Sequence, residues 1–134
     1  MRKSHGELTA EIGQSLNFDN YEVLFDHGIS GENIGKIVSY FGDKNQRGTQ
    51  LSYLDIALVK KSSNKVVALI EIEEKANRPK TIIADIFGFL MGEKLTFHGK
   101  ELELCRLTLV ESCSLPAFHD VHASWTVSGP GVRV

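Results

Sequence analysis

Cysteine is scarce: Cys105 and Cys113 are the only two in 134 residues, and neither stands in a context that suggests a disulfide framework. Long apolar runs are missing as well, which excludes a spanning helix. The opening "MRKSHGELTAEIG" has no apolar signal-peptide core. These absences predict a reduced, cytoplasmic protein with no membrane partner. Charge of one sign is not in excess, since 15 basic residues face 17 acidic ones for a formal net charge of −2 and a pI near 6.2. That balance excludes a histone-like basic binder but leaves room for a basic cleft. Internal repeats and low-complexity segments are absent too, so a single domain over 1–134 is expected. What is present is ordinary for a soluble globular chain: 42% hydrophobic and 24% charged residues, enough for a real core.

Periodicity predicts a first helix over 4–17, where Leu8, Ile12 and Leu16 make an apolar stripe and Ser4 with Glu7 fits a capping box. A short strand is expected at 21–28. The stretch from Ile29 reads as a short helix or irregular excursion carrying Ile34, Ile37, Val38 and Phe41, with a loop over 42–48. "LSYLDIALVKK" (51–61) and "KVVALIEIE" (65–73) read as an antiparallel hairpin around "SSN". A helix is expected over 76–92, starting near Pro79, with Ile82, Ile83, Ile86, Phe87 and Leu90 as its buried face. A further strand is predicted over 101–112, and another around Trp125. The order predicts an α/β (α+β) domain with a mixed central sheet flanked by helices.

The hairpin carries the chemistry. With a three-residue turn, Asp55 falls opposite Glu71, and alternation puts Glu73 on the same face. With a two-residue turn, Asp55 would face Ile70 instead. Opposed Cβ atoms lie about 4.5–5.5 Å apart, so the first register sets two carboxylates in mutual repulsion. A hard divalent cation such as Mg²⁺ or Mn²⁺ removes that conflict. Glu73 would then orient or deprotonate a water, and Lys75 and Lys80 would offset charge on a phosphate.

Asp55, fifteen intervening residues and then Glu71-Ile72-Glu73 resemble the bipartite signature of the PD-(D/E)XK nuclease superfamily, the restriction-endonuclease-like and Holliday-junction-resolvase-like fold. The resemblance covers about 4–112, leaving 113–134 as an extension. It implies an αβββαβ core with Asp on the second core strand and acidic-x-Lys on the third. It also implies hydrolysis of phosphodiester bonds in nucleic acid, here DNA, leaving 5′-phosphate and 3′-hydroxyl ends. Asp55, Glu71 and the Ile72 carbonyl would hold the cation. "KSHGELTA" resembles the helical start of resolvase-like members, which implies Glu7, or Glu11 one turn later, as a further ligand. The sequence departs from the pattern twice. Leu54 precedes Asp55 where the motif has Pro, and Glu73 stands at the usual Lys position. Lys80 on the following helix, or a shifted reading Glu73-Glu74-Lys75, would supply the missing cation.

Other residues admit plainer readings. Acidic residues at a strand end reaching solvent, or in a first helical turn, are ordinary. Lys44 and Arg47 are candidate phosphate-backbone contacts or residues of a solvated mobile loop, and Arg78, a further candidate contact, reads with Lys80 as a solvated first-turn residue. Asp85 suits a polar helix surface, Trp125 and Phe118 suit the core or a dimer contact, and His5 and His98 have no evident partner. Cys113, His119 and His122 suggest zinc, without the paired Cys-x-x-Cys halves of a structural site. Three functions follow from these residues: a metal-dependent nuclease, a non-cutting nuclease-fold module that binds DNA or protein, and a zinc- or ligand-binding regulatory domain. A homodimer would help so short a chain embrace a duplex.

Overall fold

A computed structural model describes residues 3–26, 31–42, 45–73, 79–114 and 122–127. In chain order they form α1 (His5–Ser15), β1 (Tyr21–Phe25), β2 (Ile37–Tyr40), a 3-10 turn (Arg47–Thr49), β3 (Gln50–Leu54), β4 (Ile56–Lys60), β5 (Lys65–Glu73), α2 (Pro79–Met91), β6 (Lys94–Phe97), β7 (Lys100–Ser114) and β8 (His122–Val127). The expected excursion after Ile29 is therefore partly a strand, β2, and β6 is an element that periodicity did not reveal. Four residues are too few for the alternation in "KLTF" to stand out.

The eight strands form one mixed sheet in the order β1-β4-β5-β7-β6-β2-β3, with β8 added beside β7. β5 and β7 are parallel, the other pairings between these strands are antiparallel, and an isolated parallel bridge joins Phe25 to Ile34. The predicted single strand over 51–61 is two strands that part at Asp55. Leu54 pairs with Ile37 at one end of the sheet, and Ile56 pairs with Phe25 and Ile70 near the other. Two residues of chain span at most about 7 Å. The sheet must therefore curl until its β3 end returns to β4. Leu24, Ile37, Leu54, Ala57, Val59, Leu69, Leu95 and Leu102 fill the core on one side of it.

Alternation sends Val23, Phe25, Ile56, Ile70 and Ile72 to the opposite face, where they meet α1. The predicted stripe Leu8, Ile12 and Leu16 packs there half-buried. The line nearest the sheet is Thr9, Ala10 and Gly13, all buried. Small residues allow this approach: a Cβ on Gly13 would lie 2.6 Å from the Phe25 ring. The helix starts where predicted, with Ser4 as its cap and Glu7 closing the box.

α2 corrects the expectation. It packs towards β2, β3, β5 and β7, yet Ile83, Ile86, Phe87, Leu90 and Met91 remain 37–60% exposed. The physical reason lies in the sequence "PKTIIADIFGFLM", which is apolar on nearly every side, so helical spacing did not select one face. The side chain of Ile82, also assigned to that face, lies outside the described residues. No helix among the described residues is long and apolar enough to cross a membrane.

Candidate functional site

The site forms where β3 and β4 part. The hairpin turn has four residues, Lys61–Asn64, with Lys60 opposite Lys65. Asn64 takes a left-handed φ of 54°, a conformation Asn tolerates better than most residues. Continued unbroken, this register would set Asp55 against Ile70. A β-bulge at Val67 shifts it by one, so that Leu58 pairs with Ala68 and Ile56 with Ile70. The next position then faces Asp55 towards Glu71.

At that point backbone pairing gives way to side chains. β3 leaves β5 to join β2, so the Ile72 N–H loses the strand acceptor it would otherwise meet. Asp55 Oδ2 accepts it at 2.8 Å. In return, the Asp55 N–H donates to Glu71 Oε2 at 3.2 Å. The Asp55 carbonyl is taken on its other side by the Asp26 N–H at 2.8 Å, continuing the β1–β4 ladder. Asp55 and Asp26 are both buried, each 6% exposed. Glu71 is half-buried.

A fourth group arrives from the helix. His5 Nε2–H donates to Asp55 Oδ1 at 2.9 Å. Both oxygens of Asp55 are thus bonded, one to the sheet and one to α1. Neither His5 nor Asp26 was assigned to the site from sequence. The signal for His5 was present in its spacing, since His5, Thr9 and Gly13 recur every fourth residue on one helical face. Thr9 and Gly13 are the positions buried against the sheet, and His5 extends that line to the strand ends. Asp26 gave no comparable signal, being one acid at the end of a predicted strand.

Glu7 takes a different position. Its carboxylate accepts from the Ser4 N–H at 2.7 Å and the Ser4 hydroxyl at 2.8 Å, closing the capping box in solvent. The backbone bond from Ser4, then the hydroxyl, hold its pKa below the ordinary 4.5. Glu11 forms an exposed ion pair with Lys3. Lys80 is exposed in the first turn of α2, and Arg47 is exposed in the 3-10 turn. Glu73 ends β5, and its side chain lies outside the described residues, as do Lys44, Lys75, Arg78, His119 and the side chain of Asp85. Cys113 and His122 lie near each other in the β7–β8 ladder, at the Cys113–Ala123 and Ser114–His122 pairs, with their side chains also outside the description. His98 is explained by packing: it donates to the Ile34 carbonyl, and with Gly99 it forms the two-residue turn between β6 and β7, both at positive φ.

The donor set at the fork is oxygen-rich. Among the described residues no three His, Cys, Asp or Glu side chains form a group that could hold an ion. An all-protein cage is therefore not what these residues offer. Asp55 and Glu71 offer carboxylate oxygens, the ligand type through which Mg²⁺ is commonly bound by one or two side chains while it keeps several waters. Compared with known protein families, curated proteins and solved structures, the chain matches none.

Proposed function

We propose that the chain is a divalent-cation-dependent nuclease that hydrolyses phosphodiester bonds in DNA. The observation that supports this reading is the fork itself, where the Asp55 N–H bonds the Glu71 carboxylate and the Asp55 carboxylate bonds the Ile72 N–H at one strand end. The order α1, β1, β4, β5, α2, β7 also runs as αβββαβ once β2, β3 and β6 are set aside as insertions. In this reading Asp55, Glu71 and the Ile72 carbonyl hold Mg²⁺ or Mn²⁺. The ion, when bound, supplies positive charge against the phosphate. Glu73 orients the attacking water, and Lys75 or Lys80 offsets charge that develops on the phosphate oxygens. Lys44, Arg47 and Arg78 contact the nucleic-acid backbone. A second copy of the chain is the proposed protein partner, supported by the uncharged stripe that α2 leaves exposed.

One observation favours a second reading, a nuclease-fold module that binds without cutting. The bonds at the fork also satisfy two strand N–H groups without any ion, and Glu73 replaces the Lys of the resembled motif. Cleavage separates the two. Plasmid and single-stranded DNA are incubated with the full chain in Mg²⁺, Mn²⁺ or EDTA. Metal-dependent nicking that falls at least 100-fold in Asp55→Asn and Glu71→Gln supports the nuclease. Metal-dependent nicking that persists in both variants places the chemistry elsewhere, and DNA binding without nicking favours the module.

A further inference from the structure

We propose that α1 serves the fork through His5, a positioning residue for the Asp55 carboxylate, and that the Ser4–Glu7 capping box is what holds His5 in place. The inference rests on the cation-binding reading above and assigns its second layer.

A carboxylate that is to receive an ion binds it more tightly when its plane is already fixed, because less side-chain freedom is then lost on binding. Asp55 is fixed from two directions. The Ile72 N–H holds Oδ2 from β5 at 2.8 Å, and His5 Nε2–H holds Oδ1 from α1 at 2.9 Å. Each carboxylate oxygen carries two acceptor sites, so these bonds orient Asp55 without using up its capacity for a cation.

His5 is the first residue of α1, where a helix frays unless its end is tied down. The tie is the capping box. Ser4 Oγ accepts the Glu7 N–H at 3.3 Å, and Glu7 returns the bond to the Ser4 N–H at 2.7 Å. His5 lies between the two partners and its own bond joins the box to the sheet. Glu7 therefore acts on the site through the backbone of its own turn. This accounts for an acidic residue in "SHGE" that points to solvent while its neighbour two positions earlier reaches Asp55.

The test uses the full chain and Mn²⁺ as the probe, with binding read by titration calorimetry and by the electron paramagnetic resonance signal of free Mn²⁺. His5→Ala is expected to weaken Mn²⁺ about tenfold, the low end of the range for groups that orient ligands. His5→Gln retains an N–H donor and is expected to recover most of that loss. Glu7→Gln keeps the box, which accepts Gln as well as Glu, and is expected to bind within about twofold of wild type on the same principle. Glu7→Ala, which opens the box, is expected to lose several-fold. The ¹⁵N resonance of His5 Nε2 supplies a signature independent of cation, since Asp55→Asn should shift it in metal-free protein. Circular dichroism confirms that each variant folds. Normal Mn²⁺ binding by His5→Ala, or loss in Glu7→Gln as large as in Asp55→Asn, overturns this inference and leaves the cation reading standing. Absence of Mn²⁺ binding by the wild-type chain overturns the cation reading, and this inference with it.

Discussion

The two helices solve opposite problems. α1 carries few large apolar residues towards the sheet and fits closely. Thr9, Ala10 and Gly13 are buried, Leu8, Ile12 and Leu16 flank them, the first turn is capped, and His5 reaches the fork. α2 is apolar almost throughout, yet it exposes Ile83, Ile86, Phe87, Leu90 and Met91. Hydrophobic content alone therefore does not predict how much of a helix's apolar surface is covered. The close approach of α1 depends instead on small residues where the helix meets the sheet. An exposed apolar stripe on a helix is also the kind of surface on which a partner docks.

The sharpest test of this contrast is Gly13→Ala. In a free helix the change gains up to about 1 kcal/mol. Here the new Cβ would fall 2.6 Å from the Phe25 ring, and overpacking of a filled site costs about 1–3 kcal/mol. A net loss of about 1–2 kcal/mol in urea unfolding is expected, and a gain would show that α1 rests loosely.

A smaller effect is expected at the cap. Ser4→Ala should cost about 1 kcal/mol. Acid should act at the same place. The pKa of Glu7 is lowered in the folded state, so its bonds stabilise the fold fully above the ordinary 4.5 and lose that contribution as pH falls through the lowered value. The wild type should therefore lose stability relative to Glu7→Gln below about pH 4.5. Parallel acid titrations of the two proteins would show the cap to be unimportant.

The smallest effect is predicted on the outer face of α2. Phe87, 60% exposed, should tolerate Gln within about 0.5 kcal/mol in a monomer. A larger loss, together with a drop in sedimentation coefficient, would show that a second copy covers the stripe.

Parts of this arrangement were legible in the residues and parts were not. The capping box is local, so "SHGE" announced it. The small residues of α1 were harder to value, because Gly13 lowers helix propensity and its benefit appears only against Phe25. The pairing of Asp55 with Glu71 was anticipated from a three-residue turn. The turn has four residues instead, and a compensating bulge at Val67 returns the ladder to the expected register as far as Ile56–Ile70. Bulges depend on how neighbouring strands twist, which the hairpin sequence does not state. The split of 51–61 into β3 and β4 was hidden for the same reason: both halves have strand composition, and only their separate partners divide them.

The sequence by itself determined the alternation that sends Leu69 and Ile70 to opposite faces, the capped start of α1 and the presence of acidic residues at the end of β5. These follow from backbone geometry and from contacts a few residues apart. Tertiary structure alone decided that Asp55 is a fork and that His5 and Asp26 adjoin it. It also decided which side of α2 faces outward. Each of these depends on which distant strand competes for a given N–H or apolar face, and that competition is settled only when the sheet has curled back on itself.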